Sequence, residues 1–148
     1  RSHAGKSTLV HALVCAGAAY LSDEYARITT DGLIAPYLRP LQLRTAAGRR
    51  LVDPTDIGEV EDRAVPAGMI VFTHYSERGA FSPEPMSPAQ AALGLIGNTV
   101  IADIDPVRAA SAAARVSRVA CGVRTARPDA QDSAQAILAL ADRLVVAA

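Results

Sequence analysis

The feature that most constrains this chain is the tetrapeptide Gly5-Lys6-Ser7-Thr8, which stands directly before an apolar stretch. Residues 7–16 are predicted to form a helix with little polar surface, and Gly17 would end it in the way that a glycine just past a helix commonly does. A helix that is apolar on nearly every side is expected to lie buried against a sheet. A glycine turn that leads into a buried helix is typical of a phosphate-binding loop.

The full pattern of such a loop is a glycine, four variable residues and then Gly-Lys-Ser or Gly-Lys-Thr. This chain supplies the end of the pattern, and the first glycine would stand immediately before Arg1. We therefore expect that glycine, and the strand that leads into the loop, upstream of the sequence. The alternative interpretation is that the tetrapeptide only starts a helix.

Lys6 favours the phosphate-binding interpretation, because it is the only lysine among the 15 basic residues. A chain that otherwise uses arginine has kept one compact ammonium at a place where the planar guanidinium would fit less well. The lysine would contact the outer phosphates, and the Ser7 hydroxyl would be a magnesium ligand. The predicted nucleotide-binding residues are His3, which would contribute its backbone, with Ala4, Gly5, Lys6, Ser7 and Thr8.

A second constellation is the acidic pair Asp23-Glu24, which follows a predicted buried strand at residues 18–22. In a βαβ unit the carboxyl ends of both strands lie on the side where ligands bind, so the pair is expected near the phosphates. One carboxylate could orient magnesium through water, and the other could take the proton from an attacking hydroxyl. A pair of solvated turn residues fits the spacing equally well.

The remaining pattern mixes strands and helices and predicts one α/β domain, residues 1–148, with a partly antiparallel sheet. Residues 45–66 are expected to be either the least ordered part or an insertion, and 76–86 a loop. Ser87 and Asp105 are predicted to start helices, each with a proline at the first helical position. Further strands are predicted at 23–30, 33–37, 41–44, 68–75 and 120–126, and helices at about 88–97, 106–119 and 132–146.

Composition excludes several classes of function. The 15 acidic and 15 basic residues cancel, which argues against nucleic acid or an anionic membrane as a partner. No apolar run is long enough to span a bilayer, and the start of the chain does not read as a signal peptide, so the expected compartment is the cytoplasm.

Arg39 and Arg44 are candidates for bracing phosphates, although surface arginines are common. His11 and His74 are expected to be structural.

The stretch "AGKSTLVHALVCAGAAYLSDEYARI" resembles the catalytic core of the HPr kinase/phosphorylase family, whose fold PEP carboxykinases share. The stretches "DGLIAPYLRPLQLR", "GMIVFTHY" and "MSPAQAALGLIGN" resemble divergent HPr-kinase-like proteins of bacterial accessory gene clusters. The resemblance implies a P-loop-containing mixed β-sheet packed by helices. It also implies an ATP- and Mg²⁺-dependent kinase that phosphorylates a serine hydroxyl on a protein or peptide.

By the same resemblance, Lys6, Asp23 and Glu24 are the catalytic residues, and Ser7 and Asp23 hold the metal. Glu24 stands where the family has its proton-accepting aspartate. The longer glutamate side chain moves the carboxylate outward by about one methylene, more than the roughly 0.5 Å that catalytic geometry tolerates. The family's glycine-rich signature with a second magnesium ligand and an arginine has no counterpart here. The alternatives are an ATP-binding regulatory module without phosphotransfer and a metabolic enzyme similar to PEP carboxykinase. A homo-oligomer is left open.

Overall fold

The computed structural model describes residues 5–46 and 48–146, with side chains described as far as residue 144. The helices in these ranges are α1 (Lys6–Cys15), α2 (Pro88–Ile96), α3 (Pro106–Val119) and α4 (Ala130–Val146). The strands are β1 (Arg27–Ile28), β2 (Ile34–Ala35), β3 (Leu41–Thr45), β4 (Gly48–Val52), β5 (Met69–Tyr75), β6 (Glu84–Met86) and β7 (Cys121–Arg127). Short 3₁₀ turns lie at Pro54–Asp56 and Val100–Asp103.

The largest described sheet has three strands, with β7 in the centre. β5 pairs with β7 in parallel from Met69–Cys121 to Tyr75–Arg127, and β6 pairs with the other edge of β7 in antiparallel fashion. β1–β2 and β3–β4 are separate antiparallel hairpins. The class is therefore mixed α/β with small sheets, and the prediction of partly antiparallel pairing is confirmed.

The helices begin where local chemistry favours a start. The Ser87 hydroxyl accepts from the Gln90 N–H while the Gln90 side chain accepts from the Ser87 N–H, which forms a capping box before Pro88. Asp105 caps α3 through the Arg108 N–H. Both predicted helix starts are confirmed. α4 begins two residues earlier than predicted, because the carboxylate of Asp129 accepts from the N–H groups of residues 131 and 132.

Three local predictions are wrong. Residues 18–22 do not form a strand, since Tyr20 makes only an isolated bridge to Val60. Residues 45–66 are not simply irregular, because β4 pairs with β3 along its whole length despite its polar sequence. The predicted loop at 76–86 ends in β6, which is added to the free edge of β7.

The burial of α1 is lower than its sequence predicts. Val14 is its only buried residue, and its other apolar side chains are half-buried. The helix packs against α4 and β3, and Val14 joins Tyr20 and Leu41 in a small core beneath the hairpin. Among the described residues, α4 and that cluster, rather than a broad sheet, cover α1. No helix in the described ranges combines the length and the apolar character needed to cross a membrane.

Candidate functional site

The site begins at the N-terminus of α1. Gly5 precedes the helix with φ 65° and ψ 28°, the left-handed conformation that glycine adopts without steric cost. In the described part of the chain no side chain caps this end, and the first turn holds no acidic residue. The partial positive charge of the helix end is therefore not met by a side chain of the helix itself. The predicted residues His3 and Ala4 lie outside the described residues.

A buried guanidinium lies directly against Gly5. Arg127, at the carboxyl end of β7, is 4% exposed. A Cβ atom placed on Gly5 would stand 2.7 Å from its Nη2, closer than real side chains approach. The guanidinium carbon lies 5.9 Å from the centre of the Tyr75 ring, at the end of the neighbouring strand β5. The carboxyl ends of the parallel strand pair thus meet the start of α1, which is where ligands bind in open α/β sheets.

The predicted loop and the predicted acidic pair share one open cavity of about 640 Å³. Residues 5–8 line one side of it, and Asp23 and Glu24 line another. Lys6 is exposed, and in the described ranges neither carboxylate lies within 4.0 Å of its ammonium. Lys6 and the two acids therefore border a common space and form no ion pair with each other in the described ranges. The volume of this cavity is that of an ordinary ligand site.

Tyr20 anchors the acidic pair. Its side chain is 1% exposed, and its hydroxyl donates to the Arg39 carbonyl at 2.8 Å. Its backbone bridges the chain on the other side, with its N–H donating to the Glu59 carbonyl at 2.7 Å and its carbonyl accepting from the Glu61 N–H at 2.9 Å. Burial raises the pKa of the Tyr20 phenol above its ordinary value, and the nearby Asp23 carboxylate raises it further. The segment that carries the acids is thus fixed by hydrogen bonds instead of by a strand.

The two acids have different surroundings. Glu24 is exposed, whereas Asp23 is half-buried and its Oδ1 is shielded from solvent. Among the described residues no donor reaches that oxygen. A buried carboxylate oxygen without a partner is costly, and a cation or a protonated group would satisfy it. The two acids thus present different carboxylates to the same cavity, one half-buried and one exposed.

The third wall of the cavity comes from the segment 37–44 and from Leu51. The Arg39 guanidinium carbon lies 5.6 Å from the centre of the Tyr37 ring, and its Nη1 donates to the Tyr37 hydroxyl at 3.2 Å. Arg44 lines the same wall. Both arginines that the sequence offered as phosphate braces thus face the space between the loop and the acids.

The other histidines lie outside this cavity. His11 lies one turn from Cys15 on α1, with its Nδ1 3.8 Å from the sulfur. His74 is an exposed residue near the end of β5. In the described part of the chain, no three histidine, cysteine, aspartate or glutamate side chains gather into a group that could hold a metal ion.

Sequence reasoning missed two features of the site. The predicted strand 120–126 stopped one residue before Arg127, although the alternation of buried residues Val123, Thr125 and Arg127 continues to it. Extending that two-residue period would have found the arginine. The hydrogen bond from Tyr20 to Arg39 joins residues 19 positions apart, and no local pattern signals it.

No family model matches the chain, and neither a curated protein nor a solved structure matches it.

Proposed function

We propose that this protein is an ATP- and Mg²⁺-dependent kinase that phosphorylates a serine hydroxyl on a protein or peptide. The proposed fold is a P-loop-containing mixed sheet of the kind found in PEP carboxykinase and in the C-terminal domain of HPr kinase. One observation carries the proposal: the loop at the start of α1 and the acidic pair line the same cavity. Such a cavity would place a terminal phosphate between a cation and a carboxylate.

The loop would hold the phosphates. Among residues 5–46 and 48–146 no side chain caps the start of α1, and Lys6 is an exposed residue that lines the cavity. Backbone N–H groups and the helix dipole favour an anion there, and the ammonium would balance charge on the outer phosphates. Gly5 has no side chain to stand between a phosphate and the backbone N–H groups. A larger residue would not fit here, because its Cβ would meet Arg127.

The residues present fit a magnesium ion. Asp23 offers a shielded oxygen without a donor in the described ranges, and Ser7 lines the same cavity with its hydroxyl. Magnesium is commonly held by one or two protein oxygens together with substrate phosphates, so this donor set suits it. When bound, the ion would neutralise charge that develops on the phosphate oxygens.

Glu24 would be the general base. Its exposed carboxylate would take the proton of the serine hydroxyl as the serine oxygen forms a bond to the γ-phosphorus. The bond between that phosphorus and the β–γ bridging oxygen breaks, and ADP leaves with the electron pair. Atoms and charge balance without a further reactant.

The test is single-turnover phosphotransfer from ATP to a library of serine peptides by the full-length protein. Glu24→Gln should slow transfer by about 10²–10⁴-fold, the usual contribution of a general base, while leaving ATP affinity unchanged. The matched variant Glu24→Asp keeps the carboxylate and should retain much more activity. Transfer by Glu24→Gln at the wild-type rate would refute the assignment of the base.

A second candidate is a module that binds ATP without transferring phosphate. It is favoured by the glutamate at position 24, whose carboxylate reaches farther than the aspartate of the family that the chain resembles. This candidate would be supported over the kinase if the wild type and Glu24→Asp both bind Mg·ATP tightly. Neither protein should then form a phosphopeptide from any library member.

A further inference from the structure

The hairpin β3–β4 has one face that carries the buried residues Leu41 and Val52 and an opposite face whose side chains are all exposed. Leu41 is fully buried and Leu43 packs against the same small core, so the alternate residues of β3 point the opposite way. The register places Leu51 across from Gln42 and Arg49 across from Arg44. These four residues define what we call the arginine face: Gln42, Arg44, Arg49 and Leu51.

Two like charges stand directly opposite each other on this face. Arg44 and Arg49 are cross-strand partners, and both are exposed. Paired like charges destabilise a hairpin unless an anion lies between them. In the ranges that the structure describes, the one ion pair within 4.0 Å is Arg63–Glu61, so neither arginine has a carboxylate partner there.

The charge is local, because the whole chain carries 15 acidic and 15 basic residues. Arg39, which precedes β3 and is held by the Tyr37 ring and hydroxyl, adds a third cation at the cavity wall. Guanidinium groups bind carboxylates through paired hydrogen bonds. The arginine face is therefore complementary to an acidic segment lying across the hairpin.

The arginine face is continuous with the proposed kinase site. Gln42, Arg44 and Leu51 line the same cavity as Glu24. A serine that reaches Glu24 would bring its flanking residues over the hairpin. Arg49 extends the face along β4, beside Arg44, so a peptide that carries several acidic residues would meet both cations.

We infer that the acceptor of this kinase is an acidic peptide, whose aspartate and glutamate side chains bind Arg44 and Arg49 while its serine faces Glu24. The inference rests on the proposed function for the identity of the site. Arg49 is separate from that function, because it does not line the cavity. Arg44, which the sequence offered as a phosphate brace, is assigned here to the acceptor instead, and the affinity for ATP decides between the two roles.

Binding of labelled serine peptides to the full-length protein, followed by fluorescence anisotropy, tests the inference. The probes are three peptides of equal length in which the serine is flanked by aspartate and glutamate, by asparagine and glutamine, or by lysine. The acidic peptide should bind at least about tenfold more tightly than the neutral one, and added salt should reduce the difference.

The double variant Arg44→Glu/Arg49→Glu should lose at least about tenfold in affinity for the acidic peptide. The matched control is Arg108→Glu/Arg118→Glu, which makes the same charge change at two exposed positions of α3 and should bind as the wild type does. Equal binding of the acidic and neutral peptides, or loss in both double variants alike, overturns the inference.

Mg·ATP affinity, measured on the same samples, separates the inference from the proposed function. Unchanged ATP affinity in Arg49→Glu, whose side chain does not line the cavity, together with weaker binding of the acidic peptide, supports an acceptor role. An equal loss of ATP affinity means that the arginines bind the nucleotide, and it overturns the inference alone. Absence of ATP binding by the wild type defeats the proposed function, whatever the peptides do.

Discussion

The contact between Gly5 and Arg127 gives the sharpest structural prediction. An alanine at position 5 would take a left-handed conformation that costs an L-residue about 1–2 kcal/mol. Its Cβ would also stand 2.7 Å from Nη2 of a buried arginine, and overpacking of this kind costs about 1–3 kcal/mol. Gly5→Ala should therefore destabilise the protein by about 2–5 kcal/mol, the sum of the two ranges.

Urea unfolding followed by circular dichroism measures the effect, and Arg127→Met separates its two parts. The methionine keeps the apolar stem but removes the atom that the new Cβ would meet. In that background Gly5→Ala should cost only the conformational part, about 1–2 kcal/mol. In melting temperature the single variant should fall by roughly 4–20 °C for a chain of this size. An equal cost of Gly5→Ala in both backgrounds would refute the proposed close contact.

Three further changes test other parts of the structure. Ser87→Ala removes the capping box shared with Gln90 and should cost about 1 kcal/mol in urea unfolding; no change would mean that α2 does not need it. Gly94→Ala places a Cβ 2.6 Å from the Phe72 ring. The overpacking cost of about 1–3 kcal/mol should outweigh the roughly 1 kcal/mol gain in helix propensity, so the variant should be less stable in urea unfolding. A more stable variant would contradict the contact. Because burial and Asp23 raise the pKa of Tyr20 from 10.0, the unfolded state deprotonates first and stability should fall as the pH rises above about 10. In Tyr20→Phe, alkaline melts should show a smaller fall; the same fall as in the wild type would assign it to other groups.

Local signals were enough for the elements that local chemistry determines. Ser87 and Asp105 supply helix caps, each before a proline, and both helices start there. The strand predicted at 68–75 forms as β5. These residues carry their structural preference within a few positions of the chain, so no knowledge of distant neighbours is needed.

Elements that depend on a pairing partner were not predictable in the same way. β4 contains Arg49 and Arg50 and has little β character of its own, and it becomes a strand because the neighbouring strand β3 supplies its hydrogen bonds. Tyr20 lies in the predicted buried strand 18–22 and is buried, but in the described ranges its strand pairing is limited to an isolated bridge with Val60. Burial alone did not distinguish a strand from an anchored loop.

The residues of the candidate site differ in the same way. Short motifs with a chemical reason predicted a site at Gly5, Lys6, Asp23 and Glu24. The contact of Arg127 with Gly5 depends on how β7 meets α1, some 120 residues apart in sequence, and this is visible only once the chain is folded.

Calorimetric titration of the full-length protein with Mg·ATP measures whether Lys6 and the acidic pair hold a nucleotide between them. The wild type should bind, and Lys6→Ala should weaken binding by about 10- to 100-fold, the value of one charge-assisted hydrogen bond. Arg118→Ala, which removes an exposed cation from α3, should bind as the wild type does. Equal affinity in Lys6→Ala and the wild type, or no binding by either, would contradict this prediction.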